Sequence, residues 1–161
     1  GMQTFWPDPE TPYPSSAICW NAGVACEGAP SPYDACNPVD LDVSGNPTEE
    51  AHAVLHSLSR YEARLDNLPQ PTLIAGMVGV PLGYLDGAPL VYQDSPDDSF
   101  QATFGIGPAC SGENGVGIPP VRLRALEESQ NPGRLLGSVC ANDYTASMVR
   151  IADAIVSQAV D

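Results

Sequence analysis

His52 and His56 stand four residues apart, with Glu49 close before them. On a helix, that spacing puts both imidazoles on one face, where with a carboxylate they have the donor types for Zn²⁺. A zincin helix also needs a glutamate between the histidines at position 53, and Ala53 stands there. The pair therefore reads as two solvated or half-buried imidazoles on a helix shoulder. Asp94, Asp97 and Asp98 offer hard oxygens suited to Ca²⁺, but without the loop spacing or the terminal glutamate of an EF-hand. They read as the exposed tip of a hairpin. Gly105, Gly107, Gly112, Gly115 and Gly117 precede a predicted helix. A P-loop would need a lysine there, and the chain has none. Nucleophilic catalysis needs a serine or cysteine to meet a histidine and an acid. Both histidines lie on one predicted helix, and no GxSxG occurs. The expectation is a non-catalytic chain with no cofactor and no resident metal.

The 161 residues include 20 acidic side chains against six arginines, a formal net charge of −14. Such a chain repels DNA, RNA and anionic lipid, so nucleic acid is excluded as an expected partner. No apolar run reaches the ~18 residues of a membrane span. Five cysteines, Cys19, Cys26, Cys36, Cys110 and Cys140, form no CxxC pair, and their spacing matches no common zinc pattern. Disulfides in an oxidising compartment are the plainer reading, with one thiol left over. Residues 1–8 lack the basic start and apolar run of a signal peptide. Gly1 before Met2 looks like a tag-cleavage scar. An extracytoplasmic protein is still expected, with its export signal outside this sequence.

The elements that must position these residues follow from pattern. Residues 1–46 read as an irregular, disulfide-tied segment, because Pro7, Pro9, Pro12, Pro14, Pro30, Pro32 and Pro38 forbid a long helix. Asn46 as cap, Pro47 and Glu49 open a predicted helix over residues 47–67, with Ala51, Val54, Leu55, Leu58, Tyr61 and Leu65 at a 3.6-residue period. Residues 72–80 (TLIAGMVGV) read as a strand buried on both faces. Residues 90–92 and 100–106 read as a hairpin around the acidic turn. A helix over 121–129 with Leu123 and Leu126 inward follows, ended by Asn131, Pro132 and Gly133. Next come a buried strand over 135–140 and an Asp143-capped helix over 144–160, with Tyr144, Met148, Ile151, Ile155 and Ala159 as its stripe. This order predicts an α/β domain over 47–161: a partial doubly wound, mostly parallel sheet flanked by helices, with a β-hairpin insert. A sheet this small leaves an edge open, and a homodimer pairing such edges would cover it.

Several stretches in order carry a resemblance. Cys19 and Trp20 precede Cys26 and Cys36 in a Pro-rich coil. Leu58, Arg60, Tyr61 and Leu65 follow on an amphipathic helix, then TLIAGMVGVP at 72–81. Ile106, Gly107, Pro108, Ala109 and Cys110 come next, then Pro120, Val121, Arg122 and Leu123. Ser138, Val139 and Cys140 lead to Asp143, Tyr144 and the final helix. Over residues 19–158 the chain resembles the C-terminal half of von Willebrand factor type A-like domains of secreted bacterial lipoproteins. The resemblance implies an open parallel sheet with helices on both faces, and a disulfide between Cys110 and Cys140. It implies that two of Cys19, Cys26 and Cys36 pair, the third having had its partner in the first half of the domain. That family holds metal on a DxSxS motif; Asp42, Ser44 and Asn46 depart from it at the last position, so the metal site does not carry over.

The resulting functional expectation is a binding or interaction domain whose partner is a protein or a cell-surface ligand. Two other expectations stand beside it. One is a secreted metal-dependent enzyme using His52, His56 and nearby carboxylates. The other is a structural fragment completed by a separately encoded first half.

Overall fold

A computed structural model describes residues 5, 6, 10, 13–131 and 133–160, with the side chains of Ala159 and Val160 left aside. The predicted roles of Gly1, Met2, Pro7, Pro9, Pro12, Pro132 and Ala159 therefore fall outside the described residues. The chain is mixed α/β and divides into two compact units. One is residues 1–60 with 92–107, the other residues 61–91 with 108–161.

In the first unit, α1 (Ile18–Asn21) leads into an antiparallel hairpin of β1 (Val24–Glu27) and β2 (Ala35–Pro38). Cys26 and Cys36 face each other across it and are joined by a disulfide. Tyr33 makes an isolated bridge with Tyr92.

The single helix expected over 47–67 does not form. Glu50–His52 is one 3-10 turn, Ala53 is extended, and α2 begins only at Leu58 (Leu58–Asp66). The cause is local. The Asp42 carboxylate accepts the amides of Ser44 and Asn46 at 2.8 and 3.0 Å, so Asn46 closes a turn instead of capping a helix. The Thr48 and Val54 amides are then spent on the carbonyls of Asp40 and Leu41.

The hairpin expected over 90–106 is also replaced. Asp97 accepts the amides of Ser99 and Phe100 and opens α3 (Asp98–Phe104), which Gly105 ends at φ +78°. Phe100 and Phe104, read as one face of a strand, are also an i,i+4 pair. Their rings meet on the helix with centroids 4.5 Å apart and planes tilted by 44°. The hairpin lies further on, where β4 (Cys110–Gly112) pairs antiparallel with β5 (Gly115–Gly117).

In the second unit, β3 (Gly76–Val78) and β6 (Leu136–Ser138) form the expected parallel pair, in register Gly76–Leu136 to Val78–Ser138. β3 is shorter than the apolar run that contains it and only half-buried, whereas β6 is buried throughout. Between them runs α4 (Val121–Gln130). Its inward residues are Val121 and Glu127, while Leu123, expected inward, is 39% exposed. Val80, Tyr84 and Leu136 are the fully buried centre, with Val78 and Leu90 packed on them. Gly79 is required at its position: a Cβ there would sit 2.0 Å from the Ile118 carbonyl oxygen. Cys110 and Cys140 are disulfide-bonded, which ties the β4–β5 hairpin to the residues just beyond β6.

Candidate functional site

The last helix, α5 (Thr145–Val160), follows Asp143, whose carboxylate accepts both the amide and the hydroxyl of Thr145. These two bonds hold the Asp143 carboxyl below its ordinary range. The Tyr144 hydroxyl donates to the Val139 carbonyl at 2.9 Å, which fixes the helix rotation against the end of β6. Ser147 then packs over Gly137, where a Cβ would meet its Oγ at 2.6 Å. Tyr144, Ser147, Ile151, Ala154 and Gln158 become the covered side.

Met148 and Ile155, expected in the buried stripe, therefore face outward. With Val149, Ala152 and Val156 they make a continuous apolar strip at positions i, i+1, i+4, i+7 and i+8. Met148, Val149, Ile155 and Val156 are each more than half exposed, between 53 and 62%. A single apolar stripe at helical spacing does not distinguish this second face from the first. Val149 and Val156, seven residues apart, were its available signal.

A polar clamp joins the end of α4 to the segments that lead into β3 and β6. Glu127 is 1% exposed, and its Oε1 accepts the Leu135 amide at 2.7 Å and the Asn131 side-chain amide at 3.0 Å. Asn131 in turn accepts the Ile74 amide and donates to the Ile74 carbonyl, as a neighbouring strand's backbone would. One carboxylate and one carboxamide thus join the end of α4 to the approaches of both parallel strands. Arg134 stacks on Tyr84, 4.4 Å from the ring centre, and donates to the carbonyls of Tyr84 and Ala88. Burial pushes the Tyr84 hydroxyl above its ordinary pKa.

The other residues singled out in the sequence are placed apart. His52 sits in the 3-10 turn and His56 in coil beyond it, both exposed, and the His56 ring bonds to Arg60 at 3.0 Å. Among the described residues no three of histidine, cysteine, aspartate and glutamate are grouped to hold a metal. Asp94 accepts the Tyr33 hydroxyl at 3.0 Å, and Asp97 is consumed in capping α3. Asp42 is held by its turn, which lowers its pKa. Of the N-terminal cysteines, Cys19 is the free thiol and is exposed.

No protein-family model, no curated protein and no solved structure matches the chain. The site is therefore read from its own geometry.

Proposed function

We propose that this chain is a non-catalytic, extracytoplasmic interaction domain that docks on a protein or cell-surface ligand through the outer face of α5. The observation that carries this reading is the strip of Met148, Val149, Ala152, Ile155 and Val156 on a helix whose other side is packed. Contiguous exposed apolar surface of this kind marks interaction sites. The helix is also poor in charge for a very acidic chain: residues 145–160 hold one arginine and one aspartate. The two disulfides favour an oxidising compartment. Among the described residues no helix is long and apolar enough to cross a membrane.

A second reading rests on the sheet. Parallel strands are normally found inside larger sheets with both faces covered, and here the parallel sheet has two strands of three residues. A doubly wound domain of the von Willebrand type A-like kind would supply further parallel strands at an open edge. They would come from a separately encoded first half, or from a second copy pairing edge to edge. α5 would then be one of the helices covering that larger sheet.

The test is the double substitution Val149→Lys and Val156→Lys. Both side chains already face water, so the melting temperature should move little, within the ~0.5 kcal/mol of ordinary surface changes. Co-sedimentation of the purified protein with envelopes of its own host should be lost. Retention equal to the unsubstituted protein contradicts the docking role of α5.

A further inference from the structure

A cleft of about 480 Å³ opens in the second unit beside the C-terminal half of α5, and its lining has an unusual charge balance. The apolar part is Leu73, Leu135 and Ala154. Three charged side chains join it: Arg134, Arg150 and Asp153. Arg150 is neutralised by Asp86 at 2.9 Å and also donates to the Leu85 carbonyl. The other two charges are not neutralised. Among the described residues no carboxylate pairs with Arg134, although the chain carries 20 acidic residues, and no cation pairs with Asp153. The hydrogen bonds of Arg134 run from Nη1 to two carbonyls, which leaves Nη2 and Nε without partners among the described residues. Its plane is fixed by stacking on the buried Tyr84.

A half-buried guanidinium held rigid on a residue that lines a cleft is suited to a carboxylate, because the fork of N–H groups is already oriented. A carboxylate such as Asp153 is suited to an ammonium group. The volume lies in the range of small-molecule sites, and the apolar side chains beside the two charges suit a ligand that carries an apolar group.

We propose that this cleft binds a small zwitterion with an apolar side chain, namely an apolar amino acid or a short apolar peptide. The ligand's carboxylate meets Arg134 and its ammonium meets Asp153. The apolar group lies against Leu73, Leu135 and Ala154.

The experiment is a titration of the full, disulfide-intact chain with L-leucine, L-leucyl-L-leucine and N-acetyl-L-leucine, followed by amide chemical shifts. Saturable shifts at Leu73, Leu135 and Ala154 are expected with leucine or the dipeptide, and whichever binds more tightly tells free amino acid from peptide. Asp153 is exposed, so Asp153→Asn should leave the fold intact. It should weaken the zwitterion about tenfold, the loss expected for one charge-assisted contact. It should leave N-acetyl-leucine, which has no ammonium, unaffected. Because Arg134 also braces residues 84–88, its role is read with Ala154→Trp, which fills the cleft from the helix side and should abolish the shifts while α5 stays folded. Two results overturn the proposal: no saturable shift from either zwitterion up to about 20 mM, a concentration at which even millimolar affinity would show, or equal leucine affinity in Asp153→Asn and the unsubstituted chain.

Discussion

Glu127 ties the end of α4 to the segment leading into β6. A carboxylate that is 1% exposed remains only where its oxygens are used, and here one oxygen takes two donors from the segment leading into β6. Glu127→Ala leaves the buried Leu135 amide without an acceptor. It should cost about 2–3 kcal/mol in urea unfolding, the range for bonds to a charged group. Glu127→Gln keeps an oxygen at the same place and should cost clearly less; equal losses would show that charge, and not the acceptor position, is what matters. Asp143 allows a pH prediction. Its carboxyl is held below the ordinary range by Thr145, so its support of α5 is complete above the unfolded aspartate pKa. That support is lost as pH falls through the lower folded value. The Asp143 carboxyl carbon should titrate below about 3.9 in NMR; a midpoint at or above that value contradicts the bonding described.

At the scale of elements, the β4–β5 hairpin is fastened by the Cys110–Cys140 disulfide across 30 residues. Replacing both cysteines by serine should lower stability by about 3–4 kcal/mol in the loop-entropy account. Chemical denaturation of the double variant against the oxidised protein measures it. The same scale shows what sequence could and could not reveal. The parallel strands around GMV and LLGSV and helix α4 were legible because apolar runs and Pro-Pro starts are local signals. The helix over 47–67 was misread because the capping pattern at Asn46 competes with a turn already closed by Asp42, four residues upstream. α3 was misread because alternation at Phe100, Ala102 and Phe104 fits a strand, while Asp97 as N-cap decides for a helix. Asp97→Ala should therefore destabilise α3 by about 1 kcal/mol, seen as faster amide exchange at Ser99 and Phe100. Unchanged exchange would contradict the cap. The rotation of α5 was not legible at all. Its apolar residues occupy more than one face, and the Tyr144–Val139 bond and the Cβ-free Gly137 select which face is covered.

For the whole molecule, the candidate site lay partly within reach of the sequence and partly beyond it. The histidines and aspartates were visible as chemistry-bearing types, yet the fold spends or separates them. The apolar strip on α5 was written in the same residues that suggested a core stripe. Only the packing of the opposite side turns it into a surface. The proposed docking on α5 rests on this exposed, nearly neutral face in an otherwise acidic chain. The most direct measurement places a photo-activated cross-linker at position 156 and, separately, at Val43, which is exposed in the other unit. In cells of the protein's own host, one discrete adduct is expected from position 156 and none from position 43. No adduct from 156, or the same adducts from both positions, would contradict it.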